Sequence, residues 1–146
     1  PYGLFDEAVL VKKSSSIATV ADLAGKRVGG LTDSTNIALV KGFPGATAIP
    51  FPGSDQVLPE MLAALREGDI DALIDDELVL VVAAEDDASL EIAFTLPTRV
   101  PFAIATPKAN PTLNATLNAA ISAALADGTM AKLWAEWIPW KPFPFV

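Results

Sequence analysis

Two stretches of this chain bring together groups able to grip a small charged molecule. The first is Thr32-Asp33-Ser34-Thr35, a run of hydroxyl and capping residues just before a helical pattern. The hydroxyls of Thr32, Ser34 and Thr35, with the N–H groups of a helix start, make an anion site, and the helix dipole adds favourable potential. A plain N-cap uses the same residues, stabilises the helix by about 1 kcal/mol and does nothing for a ligand. The second stretch is acidic: Asp69, Asp71, Asp75 and Asp76 punctuate and follow the apolar residues 70–74. Asp76 falls just past an expected strand, at a carboxyl end, where open α/β sheets present ligands. A carboxylate there pairs with an ammonium through charge-assisted hydrogen bonds. Asp75, Asp76 and Glu77 equally suit the start of the following helix, and capping is the expected role of Asp75 and Glu77.

Other chemistries fit these residues poorly. An EF-hand counted from Asp69 needs Gly at its sixth position and Glu at its twelfth, where this chain has Ile74 and Leu80. Alternation along a strand sends neighbouring acids to opposite faces, so no metal site is expected. The chain has no Cys and no His, which removes disulfides, thiolate metal sites, the commonest general base and the commonest zinc ligand. Neither a cofactor nor a catalytic residue is expected. Trp134, Trp137 and Trp140 invite comparison with a stacking platform. Trp134 and Trp137 stand three apart on one helical face, however, so packing is their expected role.

The framework for these groups is legible in the apolar pattern. Through residue 105, short apolar runs alternate with helical patterns, which argues βαβ units and an α/β fold with a mostly parallel sheet. Strands are expected over residues 8–12, 27–31, 47–51, 70–74, 90–96 and 102–106, with Pro97 and Pro101 punctuating between the last two. Thr19 caps a short helix over Val20-Ala21-Asp22-Leu23 that Gly25 ends. The helix after Thr35 runs to about Lys41, where Gly42, Pro44 and Gly45 stop it. Ser54 or Asp55 opens a helix in which Val57, Leu58, Met61, Leu62 and Leu65 recur at three- and four-residue spacing, closed by Gly68. Residues 77–84 form a short apolar helix. From Asn110 the pattern is helical: Leu113, Leu117, Ala120, Ile121, Ala124 and Leu125 make one stripe. Asp127-Gly128 breaks it before a helix carrying Met130, Leu133, Trp134 and Trp137. Residues 139–146 hold three Pro and run extended.

Charge narrows the partners. Ten basic against 18 acidic residues give a net charge of −8. That balance repels nucleic-acid phosphates and anionic lipid, and no basic stripe overrides it, so no nucleic-acid partner is expected. The longest apolar run, residues 78–84, is far shorter than the ~20 residues of a membrane span. No secretion signal is visible. The chain opens with Pro1-Tyr2 and reads as a mature or excised segment from which a signal could have been lost upstream.

In order along the chain, four fragments resemble one family. "SIATVADLAGKRVGG" resembles the opening of the second lobe in the amino-acid-binding proteins of ABC importers. "LREGDIDALIDD" resembles that family's helix, turn and strand ending in a ligand-facing Asp. "FAIATPKANPTLNATLNAAISAALADGTMAKLWAEWI" resembles its closing signature of a return strand and two helices. Pro1-Tyr2 coincides with the Pro-Tyr where the chain first crosses between lobes. The chain thus resembles a type II periplasmic substrate-binding protein of the polar amino-acid family, without the N-terminal part of lobe 1.

This resemblance implies a division into residues 1–101, the ligand-closing lobe 2, and residues 102–146, a return strand and C-terminal helices of an incomplete lobe 1. The lobe 1 segment that the family adds is then left out, supplied by another chain, or lost. Apolar stripes on the C-terminal helices would normally pack on that segment. The resemblance also implies capture of a small amino acid or related zwitterion by lobe closure, delivery to a membrane permease, and a periplasmic or extracellular location. By the match, Ser34 stands where a family Thr receives the ligand carboxylate, Thr35 follows it, and Asp76 stands at the acceptor for the ammonium. Asp33 replaces the usual Gly, and Leu31 stands where some relatives place a basic contact. Two rival readings share the fold: a sensor domain of a receptor or kinase, and an enzyme resembling cyclohexadienyl dehydratase. The enzyme needs a general acid or base, which here only a carboxylate, Lys or Tyr could supply.

Overall fold

In the computed structural model, which describes residues 1–145, five strands form one mixed sheet. They are β1 (Gly3–Lys12), β2 (Arg27–Leu31), β3 (Thr47–Phe51), β4 (Ala72–Asp76) and β5 (Leu90–Phe102), in the spatial order β3-β2-β4-β1-β5. β2 runs parallel to both β3 and β4, with Val28 beside Ala48 and Ala72. β1 runs antiparallel to β4, with Val9 opposite Ile74. Five helices follow the same order: α1 (Thr35–Lys41), α2 (Val57–Glu67), α3 (Glu77–Asp86), α4 (Pro111–Ala126) and α5 (Thr129–Trp137). A 3-10 turn over Val20–Leu23 opens with the Asp22 carboxylate accepting from the Thr19 N–H at 2.9 Å and from the Thr19 hydroxyl at 2.8 Å, which satisfies a donor the short helix cannot.

The chain divides into two compact units, Phe5–Arg99 and a second made of Pro1–Leu4 with the residues from Val100 onward. In the first, β1 is apolar at consecutive positions because both faces are covered. Ala8 and Leu10 join Leu73, Met61, Leu65 and Leu80 in one core cluster. Val9 and Val11 join Val28, Ala72, Ile74, Ile37 and Val40 in the other. Each such large side chain contributes roughly 1.5–3 kcal/mol by leaving water. Gly29 and Gly30 let neighbours lie across β2: a Cβ on Gly29 would meet Ile70 Cδ1 at 2.6 Å.

The second unit is thinly packed. Asn110 caps α4 by accepting from the Leu113 N–H at 3.0 Å, and Pro111 opens the first turn, a position that tolerates Pro. No α4 residue is buried, and in α5 Trp134 alone is. Trp134 Nε1–H donates to the Lys141 carbonyl at 2.6 Å, and the Phe143 ring stands edge-on to the indole at 5.7 Å. The Pro-rich tail thus folds back on the tryptophan.

The α/β class and the mostly parallel sheet stand as expected, with local departures. β4 lies two residues later than expected, so Asp76 ends the strand rather than following it, and the tail expected to run extended turns back on Trp134. Residues 90–102 form one continuous strand, because β5 lies at the sheet edge, where Pro97 and Pro101 need donate no ladder hydrogen bond. The strand expected over residues 102–106 ends at Phe102, and residues 103–107 pair with no neighbouring strand. Neither Ser54 nor Asp55 caps α2; Gln56 occupies that position without a side-chain bond.

Candidate functional site

Because β2 and β4 run parallel, their carboxyl ends emerge at one end of the sheet, and the antiparallel β1 begins there. The hydroxyl run leads from β2 into α1, and Asp75 and Asp76 lead from β4 into α3. A hydrogen bond of 3.1 Å from Asn36 Nδ2 to Asp75 Oδ1 joins the first turn of α1 to the end of β4. The structure therefore brings together the two stretches singled out above. Ser34 and Asp76 are half-buried, and Thr32 and Thr35 are exposed, so none is sealed beneath the core.

The hydroxyl stretch is built as a helix start. The Ser34 hydroxyl donates to the Leu31 carbonyl at 2.6 Å and accepts the Ile37 N–H at 3.1 Å. Its side chain therefore works as a cap. The Thr32 N–H is held by the Phe51 carbonyl at 2.8 Å. Asp33 has φ 58°, left-handed backbone that Gly adopts without cost and Asp tolerates. This is the physical reason a glycine would suit the position.

The acidic stretch divides in two. Asp71 is a structural partner: its carboxylate takes the Arg27 backbone N–H at 2.8 Å, Arg27 Nε at 3.1 Å and the other guanidinium nitrogen at 3.0 Å. The Arg27 hydrogen bonds hold its carboxyl below the usual range. Asp75 and Asp76 have no such help. Burial pushes both pKa values up. Asp75 Oδ1 accepts the Asp76 N–H at 2.8 Å, which lowers its pKa in part, while the Asp76 charge raises it. Asp76 occupies the N-cap position of α3 but its side chain makes no capping bond. Its carboxylate, half-buried and not engaged by the helix, is open to a cationic ligand.

Two residues of this end escaped the sequence reading. Glu7, only 1% exposed, lies opposite Asp76 in the β1–β4 ladder and accepts a hydrogen bond from the Thr98 hydroxyl. Burial, then repulsion from Asp76, pushes its pKa up. Asn36, also buried, anchors Asp75. The sequence signal for Glu7 was an acid flush against the apolar run Ala8-Val9-Leu10-Val11; Asn36 gave none. Elsewhere a groove of about 480 Å³ between α2 and α3 is walled by Leu58, Leu62, Val79 and Val82. Its Arg66 and Asp87 pair with each other at 2.8 Å.

No family model and no curated protein sequence matches the chain. Solved structures do. An ancestral arginine-binding protein bound to glutamine is 30% identical, with a TM-score of 0.81 over 94% of this chain and 61% of that one. A substrate-binding protein of an amino-acid ABC transporter from Streptococcus pneumoniae, bound to L-arginine, is 23% identical, with a TM-score of 0.78 over 93% and 58%. An ancestral amino-acid-binding protein, a precursor of cyclohexadienyl dehydratase, is 25% identical, with a TM-score of 0.77 over 94% and 59%. This chain therefore has the fold of the substrate-binding proteins of amino-acid ABC transporters, and the resemblance seen in its sequence holds in three dimensions. It spans about 60% of the length of the structures it matches.

Proposed function

We propose that this chain is part of the solute-binding component of an ABC importer, and that it captures a small amino acid or related zwitterion. The observation that carries the reading is Asp76. It is a half-buried carboxylate at the carboxyl end of a parallel strand, without a capping bond of its own, in a fold shared with amino-acid-binding proteins. In this reading Asp76 accepts the ligand ammonium. The exposed Thr35 hydroxyl, at the first position of α1, faces the carboxylate. The Phe5–Arg99 unit acts as the closing lobe, and the residues from Val100 onward belong to lobe 1. Ligand stabilises the closed state because it binds that state more tightly. The protein works outside the cytoplasmic membrane, hands its ligand to a permease, and binds without turning it over.

Isothermal titration of the intact protein with the standard amino acids tests this. At least one is expected to bind saturably, and Asp76→Asn is expected to weaken it by about 10- to 100-fold, the loss of one charge-assisted hydrogen bond. Undiminished binding by Asp76→Asn would remove the site from the reading.

A further inference from the structure

Basic residues are scarce in this acidic chain and unevenly placed. Four of the ten fall at positions 12–13 and 26–27, and the fold carries both pairs to the end of the sheet away from Asp76. Lys12 is the last residue of β1, and Lys26 immediately precedes β2. Both are half-buried and line one pocket of about 260 Å³ together with Ser14, Ser15 and Ser16. The backbone around them is tied down. The Ser15 N–H donates to the Lys12 carbonyl at 2.8 Å, the Lys13 N–H to the Ser89 carbonyl at 2.9 Å, and the Thr47 N–H to the Lys26 carbonyl at 2.8 Å. Among the described residues no acid forms an ion pair with Lys12 or Lys26. Asp71 also lines the pocket, but both its oxygens are committed to Arg27. A Cβ on Gly68 would lie 3.5 Å from Lys12 Nζ, so that ammonium stands beside the carboxyl end of α2, whose partial charge favours it without cancelling it. Ser15 Oγ accepts the Ile17 N–H at 3.2 Å, which leaves its hydroxyl proton to be donated.

We propose that this pocket binds a small, doubly charged oxyanion, its ligand class being inorganic phosphate or a phosphate monoester. Such a group carries a charge of about −1.5 to −2 at neutral pH and presents acceptors on several sides. Two ammonium groups and a run of serine hydroxyls are its complement. The charge of the whole chain sets the size limit. At −8 it repels an extended polyanion, whose outlying charges meet the acidic surface. A small ion inside the pocket lies closest to the two lysines. Once bound, it ties the turn after β1 to the start of β2 and stabilises the Phe5–Arg99 unit by mass action. The site lies at the other end of the sheet from Asp76 and does not rest on the amino-acid reading.

The test titrates the intact protein with inorganic phosphate, glycerol 3-phosphate and, at matched ionic strength, sodium chloride, following binding by calorimetry and the thermal midpoint. Phosphate is expected to bind saturably, one per chain, and to raise the midpoint above that in chloride. Lys12→Gln and Lys26→Gln are each expected to weaken binding roughly fivefold, the loss of one partly screened charge, while the exposed Lys108→Gln leaves it unchanged. Glycerol 3-phosphate binding as tightly as phosphate supports a monoester as the source; binding of phosphate alone supports the free ion. A response to phosphate no greater than to chloride overturns the proposal, as does an equal loss in all three variants. If Lys12→Gln or Lys26→Gln does not fold, the wild-type contrast between phosphate and chloride still decides. Each of these outcomes leaves amino-acid capture to its own test.

Discussion

Across Phe5–Arg99 the apolar strand residues are covered on both faces, while in α4 not one residue is buried, although its leucines and alanines follow an equally regular stripe. Leu133 is 47% exposed and Trp137 73%. A periodic apolar stripe records that a face is built to be covered, and leaves open what covers it. In the first unit the cover is local, supplied by α1, α2 and α3 packing on the sheet. In the second, the tail reaches Trp134, and Leu113, Leu133 and Trp137 stay exposed.

Substitutions can break or sharpen that contrast. The largest effect belongs to the covered unit: Leu73→Ala is expected to cost about 2–5 kcal/mol in denaturant unfolding, whereas Leu133→Ala is expected to stay within roughly 0.5 kcal/mol. Comparable losses at the two positions would show the second unit to be as tightly packed as the first. Next comes Gly29→Ala, where the added methyl meets Ile70 Cδ1 at 2.6 Å and Phe51 at 3.0 Å; overpacking of this kind costs about 1–3 kcal/mol, read as a lower denaturant midpoint.

A third prediction uses pH. Glu7, Asp75 and Asp76 have raised folded-state pKa values. The native state therefore holds protons that the unfolded chain releases. Their favourable contribution is fully present below the ordinary carboxylate value of about 4 and is lost as pH rises through the raised values. Asp76→Asn is accordingly expected to raise the thermal midpoint at neutral pH, with the gain vanishing in acid, even as it weakens ligand binding. A gain that persists at low pH would show that ionisation is not its source. The smallest effect is expected of Asp33→Gly, which relieves the left-handed backbone at φ 58° and gains at most about 1 kcal/mol in unfolding free energy.

Much of this architecture was legible because strand and helix periods differ, and because Gly25, Gly68 and Asp127-Gly128 mark where helices stop. The misreadings share a cause: the deciding partner lies far away in sequence. Pro97 and Pro101 look like strand breaks until β5 is known to be an edge. Asp71 looks like one more member of an acidic cluster, yet it belongs to Arg27, which precedes it by 44 residues. Glu7 looks like a strand boundary, and its place opposite Asp76 follows from a ladder register that no local pattern encodes.

At the opposite end of the same sheet, Arg27 stitches the start of β2 to the approach of β4, gripping both Asp71 and the Gly68 carbonyl, the latter at 2.7 Å. One margin is thus riveted by a cation of the protein's own, while at the acid-lined margin burial raises the pKa values of Glu7, Asp75 and Asp76. On the proposed reading, the protein uses a captured amino acid to brace the second margin as Arg27 braces the first. Loading it should tighten the acid-lined margin first, and amide exchange near Asn36 and Asp76 should slow more on loading than exchange near Arg27.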